Sequence, residues 1–311
     1  MLLLNKKFLI FILFLCSYIV GCQKNLTPNE ITEIKEGKTF WKWDSPHGVF
    51  DIHYIEKGSG SKHVLLIHGF GANTYTWRYI IDDLAKAGYH VWTLDLLGFG
   101  LSDKPLGVPY GLNLFLEQIN SFMDVKGINK AHIIGNSMGG GLSLGMAITY
   151  PQKIISLTLI DALGYPLDLP FPLKISKALG EAIKHFQGKF LVRRMLEDIV
   201  YDPKTITDEQ VEAYTIPLQM PGGSEAYSAT LESLENKQLI ELGQNFKKIQ
   251  IPVLLIWGAE DKWIPLNNFE NFSRDFPKAQ KVILKQCGHI PQEECPQESS
   301  AAIIHFLSEI R

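Results

Sequence analysis

The sequence predicts an α/β fold: a mostly parallel, doubly wound sheet with a helical cap inserted between two of its strands. Three observations carry that expectation. Short apolar runs rich in β-branched residues alternate with longer amphipathic segments from about residue 41 to the end. Most of those runs are apolar on both faces, as strands of a helix-covered parallel sheet are. The alternation breaks once, between Leu163 and about Ile249, where helical patterns follow one another without a convincing strand. Repeated strand–helix–strand order implies a doubly wound sheet. An all-helical insertion there lies over the carboxyl edge of the sheet, where α/β proteins bind ligands.

The chain opens with a segment to set apart from the fold. Lys6 and Lys7 precede an uncharged, mostly apolar run of thirteen residues, 8–20, that ends in Ile19-Val20-Gly21-Cys22. A charged start and a run this short read as a secretory signal over 1–21 and not as a membrane span. The Gly21-Cys22 ending resembles the lipobox of bacterial lipoproteins, in which a small residue precedes a cysteine that is diacylated and becomes the mature N-terminus. The resemblance implies lipidation at Cys22 and export to the bacterial cell envelope, with the lipidated N-terminus held on a membrane surface. An ordinary signal peptide and an uncleaved anchor are the alternatives. Two acyl chains hold a protein stably where one is marginal. Loss of 1–21 moves the net charge from −3 to −5, so lipid and not a basic patch would supply the anchoring. Residues 22–40 read as a polar tether.

The core then falls in two parts, 41–162 and 250–311, around a cap at 163–249. Segments near Lys42 and at 49–56 alternate apolar with polar and suit an antiparallel edge. Strands are expected at 63–68, 90–95, 131–136, 156–161, 252–257 and 281–287, and helices at 76–87, 112–125, 139–149, 267–275 and 296–310. In the cap, helical patterns run over 172–186, 191–200 and 208–216, and Met220-Pro221-Gly222-Gly223 reads as a turn. Cys287 and Cys295 are the two cysteines left in the folded part; buried free thiols are the default, and a bridge would depend on geometry.

Charge excludes one class of partner. With 30 basic against 33 acidic side chains, no basic footprint for nucleic acid stands out. No G-x-G-x-x-G after a strand, no P-loop and no H-E-x-x-H is present, so no cofactor and no metal are expected. Asp95 and Asp103 flank a Gly-rich loop without a ligand cluster around them, which fits a structural turn better than a cation site.

Chemistry concentrates at three strand ends. Gly135-Asn136-Ser137-Met138-Gly139 follows an apolar strand and opens a helix, the G-x-S-x-G context in which Gly135 and Gly139 permit a sharp turn that exposes the serine. A serine needs a base held by a third group. His289 follows the last strand, and Asp261 follows the strand before it. The order Ser137, Asp261, His289 is the one such a scaffold uses. His289 would take the serine proton and pass it to the leaving group, with rate rising with pH as it loses its own proton, while Asp261 would fix its tautomer. Glu260 and Asp161 are rival acids. His68-Gly69-Phe70-Gly71 closes the first central strand. Its glycines let the chain bend so that the N–H groups of Phe70 and Met138 can form an oxyanion hole, with His68 as a structural hydrogen-bonder. Trp77, Trp92 and Trp257 read as core; Trp263 and Phe70 stand beside site residues.

Together HGFG, DLLGFGLSD, GNSMGGG, WGAEDKWIP and CGHIPQEECP resemble the α/β-hydrolase superfamily from about Trp43 to the end. The resemblance implies its fold and a serine triad. The elbow is similar both to lipase-like esterases and to hydrolases that split C–C bonds of meta-cleavage products. The latter usually carry glycine-proline-glycine after the first HG, where this chain has Phe70-Gly71-Ala72-Asn73. Relatives with an aspartate at the elbow use a mechanism that Ser137 excludes. The reading is therefore a serine hydrolase of carboxylic esters acting through an acyl-enzyme, its partner a small ester with an apolar acyl group. The alternatives are C–C hydrolysis of a dienone acid, and a lipoprotein that keeps the fold to bind a ligand without turning it over.

Overall fold

The computed structural model describes residues 25–166, 188–234 and 236–310, with backbone only at 236–239. The expected segment 1–21 with its Cys22 ending and the expected cap helix 172–186 lie outside the described residues. Eight strands form one sheet in the order β1-β2-β4-β3-β5-β6-β7-β8. They are β1 (Thr39–Ser45), β2 (Gly48–Lys57), β3 (His63–Ile67), β4 (His90–Leu94), β5 (Ala131–Asn136), β6 (Ile154–Ile160), β7 (Val253–Gly258) and β8 (Gln280–Leu284). The β1–β2 and β2–β4 pairs are antiparallel, and every other pair is parallel.

Consecutive strand residues serve opposite faces, and both faces are buried. Leu65, Ile67, Ile133, Leu159 and Trp257 pack with helices α3 (Leu112–Val125), α4 (Met138–Thr149) and α9 (Leu266–Asp275). Val64, Leu66, Ile134, Ile160 and Ile256 face α2 (Ile80–Lys86) and α11 (Pro296–Ser308) on the other side. Each such aliphatic chain contributes about 1.5–3 kcal/mol when fully buried, so the strands carry two cores at once. Trp77, Trp92 and Trp257 are all buried in them.

Two expectations change on inspection. Residues 25–36 are not merely tether: Pro28–Lys35 form helix α1, because Thr27 and Glu30 make a reciprocal capping box and Pro28 occupies the first turn. Its side chains are all at least partly exposed, so capping and not burial defines it. β8 is an edge strand and not a strand covered on both faces: Val282 and Leu284 turn inward while Ile283 is 47% exposed.

The described part of the cap holds α5 (Lys189–Ile199), α6 (Asp208–Gln219), α7 (Gly223–Ser233) and α8 (Asn236–Gly243). The 220–223 turn precedes α7 directly, with Gly222 at φ +80°. Val192, Leu196, Val200, Val211 and Tyr214 pack on Ala72 and Ile290 of the core. A buried polar clasp reinforces that seam. Glu293 accepts hydrogen bonds from Thr76, Arg78 and, in the cap, Gln210 and Tyr214.

Candidate active site

Ser137 stands between β5 and α4 with φ 55° and ψ −120°, a left-handed conformation for a residue with a Cβ. Such a backbone costs about 1–3 kcal/mol and persists only when its surroundings over-determine it. They do: Ser137 N–H donates to Ile160 O, and its own carbonyl accepts from Gly140, Gly141 and Leu163. The turn is also too tight for side chains at its glycines. A Cβ on Gly139 would lie 2.1 Å from Ile67 O, and one on Gly135 would lie 2.2 Å from Gly139 O.

His289 Nδ1 donates to Asp261 Oδ2 at 2.7 Å, with both side chains buried. Asp261 Oδ1 accepts the N–H groups of Trp263 at 2.7 Å and Ile264 at 3.0 Å, which leaves Oδ2 aimed at the imidazole. The Ser137 hydroxyl makes no hydrogen bond among the described residues, His289 included. Such contacts are often long in unliganded sites and tighten around a substrate. The two loops are nonetheless tied, since Asn136 Nδ2 donates to His289 O at 3.0 Å. Of the rival acids, Glu260 is occupied elsewhere, accepting the Cys287 N–H. Asp161 is fully buried beside Asp261.

Phe70 N–H makes no hydrogen bond among the described residues. Met138 N–H opens α4, where a helix leaves its first donors unsatisfied, so both are available to a developing oxyanion. The loop that carries Phe70 is held from below. His68 Nδ1–H donates to Gly69 O, and His68 Nε2 accepts Leu96 N–H, so this ring is a buried spacer. Burial lowers its pKa and keeps it neutral. Gly71 supplies φ +76° at the bend. Asp95 accepts from Thr74, Leu101 and His53; burial raises its pKa, but His53, then His68 and the Leu101 N–H, prevail and bring it to about 2.

The cap reaches the same place. Ile199 O at the end of α5 accepts His289 N–H, and Asp198 accepts the Trp263 indole N–H, so Trp263 ties the cap to the Asp261 loop. Phe70 contacts Phe99 and the cap residue Tyr227. From Met138 an apolar cleft runs between core and cap, lined by Leu112, Phe115, Leu142, Leu163, Leu234 and Leu242 together with Met138, Ser233, Gly111 and Gly141. Sequence reasoning did not assign roles to Asn136, Glu293 or Tyr214. Asn136 sits inside the G-x-S-x-G motif, whereas nothing local marks the other two.

The free-thiol expectation for Cys287 and Cys295 is corrected. The two form a disulfide with Cα atoms 6.4 Å apart, because the turn through His289 and the short helix α10 (Pro291–Glu294) doubles the chain back. Closing a loop of this length should stabilise by about 2.5 kcal/mol in the chain-entropy account. A Cys295→Ser variant is accordingly expected to lose about that much in urea unfolding, and reductant should bring the parent to the same midpoint. An unchanged midpoint in both would show that the bridge contributes nothing.

Comparison with known proteins finds hydrolases among those similar to this chain. The chain is 29% identical over 263 residues to a 2-hydroxy-6-oxononadienedioate/2-hydroxy-6-oxononatrienedioate hydrolase of Burkholderia vietnamiensis, covering 82% of this chain and 90% of that protein. It is 28% identical over 300 residues to Lipase 3 of a Moraxella species, covering 91% of each. A crystal structure of a meta-cleavage product hydrolase variant superposes with a TM-score of 0.74 at 28% identity, covering 84% of this chain and 95% of that one. The model of the alpha/beta hydrolase fold family matches residues 62–190 and 210–296, well over half of the sequence, and the chain belongs to that family.

Proposed function

We propose that the protein hydrolyses carboxylic esters with an apolar acyl group. The observation that carries this reading is the cleft that starts at Met138, whose described lining is apolar but for Ser233 and bears no charged side chain. In this reading Ser137 Oγ attacks the acyl carbon as His289 Nε2 takes its proton, and the N–H groups of Phe70 and Met138 hold the oxyanion. The tetrahedral intermediate collapses, the alcohol leaves with the proton from His289, and water repeats the sequence on the acyl-enzyme. Asp261 holds the imidazole in the tautomer that this transfer needs. Export and lipidation at Cys22 belong to the same proposal, supported by the signal-like N-terminus and by a disulfide, which persists in oxidising compartments. No helix of the described residues is long and apolar enough to cross a membrane.

The named relatives weigh towards the second reading, C–C hydrolysis of a dienone acid, since most of them carry meta-cleavage hydrolase names. The diacids in those names would bring carboxylates into a pocket whose described lining offers no cation. Nitrophenyl esters from two-carbon to sixteen-carbon acyl chains, assayed beside such a dienone acid with Ser137→Ala as control, separate the two. Ser137-dependent turnover of esters with a chain-length optimum is expected. Turnover of the dienone acid with esters untouched would overturn the ester reading.

A further inference from the structure

Asp161, at the carboxyl end of β6, is a buried acid that this mechanism leaves unused. It is held at φ +43° and is fully buried. Its Oδ1 accepts Gly258 N–H at 3.0 Å, while Oδ2 is shut from water and no donor reaches it among the described residues. One ligand atom each from Asp161, Asp261 and His289 lie within 4.8 Å of one another. Two ionised carboxylates this close and this dry repel strongly, so one proton must sit between them. Asp261 has spent Oδ1 on two backbone N–H groups and Oδ2 on His289, which stabilises its anion and leaves the proton to Asp161.

We propose that Asp161 is a positioning residue of the triad, a protonated carboxylic acid whose O–H donates to Asp261 and holds that carboxylate against His289. The inference rests on the triad reading given above. Burial first, then the charge of Asp261 and the hydrogen bond to it, push the Asp161 carboxyl well above the ordinary range. Glu294, on the segment that also carries His289, adds in the same direction, and Gly258 N–H opposes. A cation in place of the proton would compete for His289 Nδ1, which Asp261 already occupies.

The test is the pH profile of kcat/KM for the full chain with Asp161→Asn and Asp161→Val. Asn keeps a neutral donor, so activity should stay within about three-fold of the parent and the acid limb should not move. Val removes the donor and should lower kcat by about ten-fold or more at unchanged KM. An ionised Asp161 predicts the opposite for Asn, an acid limb displaced downward by about a pH unit as a negative charge disappears; that result overturns the proposal. Parent-like kcat in the Val variant also overturns it, as does a loss on chelation that a divalent cation restores. Should neither variant fold, the infrared spectrum of the parent at pH 8 decides: a protonated-carboxyl band supports the proposal, and its absence overturns it. Activity surviving Ser137→Ala would sink the hydrolase reading instead, and the infrared result does not depend on that outcome.

Discussion

Replacing Ser137 by alanine is expected to lower turnover on the order of 10^5- to 10^6-fold. No other hydroxyl is presented on a strained elbow between a buried strand and a helix N-terminus among the described residues, so nothing nearby can take over the attack. The fold should survive, because the hydroxyl makes no hydrogen bond that packing depends on. Ser137→Gly separates the chemistry of the hydroxyl from the strain of the backbone. Glycine adopts φ 55° without strain, so this variant should be as inactive as alanine yet more stable by about 1 kcal/mol. Thermal unfolding checks the second part: a Gly variant less stable than the parent would show that the elbow stores no strain.

Asp261→Asn is expected to cost about 10^4-fold in kcat with little change in KM. The reason is the tautomer. An Asn amide opposite Nδ1 can donate a proton instead of accepting one, which leaves Nε2 protonated and unable to take the proton of Ser137. The backbone donors Trp263 and Ile264 would still hold an Asn oxygen, so the loop keeps its shape and the loss reports chemistry. Steady-state kinetics on a Ser137-dependent substrate checks it; a loss below ten-fold would mean that Asp261 does not orient the base.

Local chemistry was legible in the sequence where it depends on short-range geometry. The G-x-S-x-G turn needs glycines at two positions where a Cβ would strike backbone, and that need is written in five consecutive residues. The positions of Asp261 and His289 followed from strand order alone. What escaped depends on groups far apart in sequence. Glu293 collects donors from residues 76, 78, 210 and 214, and no local pattern announces such a clasp. The disulfide was likewise unreadable, since an eight-residue spacing permits a bridge only once a turn brings the two cysteines together. Asp161 was visible as an acid after a strand, but its relation to Asp261 arises from the parallel pairing of β6 with β7. β8 was misread because its apolar composition resembles a central strand, and only the lack of a further neighbour among the described residues makes it an edge.

Ser137 is the proposed nucleophile of a serine hydrolase. Treating the protein with a fluorophosphonate and locating the adduct by peptide mass spectrometry tests it most directly. One phosphonyl group on Ser137, acquired in step with loss of hydrolytic activity and absent from the Ser137→Ala protein, is the expected result. Full activity in protein completely labelled at Ser137, or inactivation with the adduct on another residue, would contradict it.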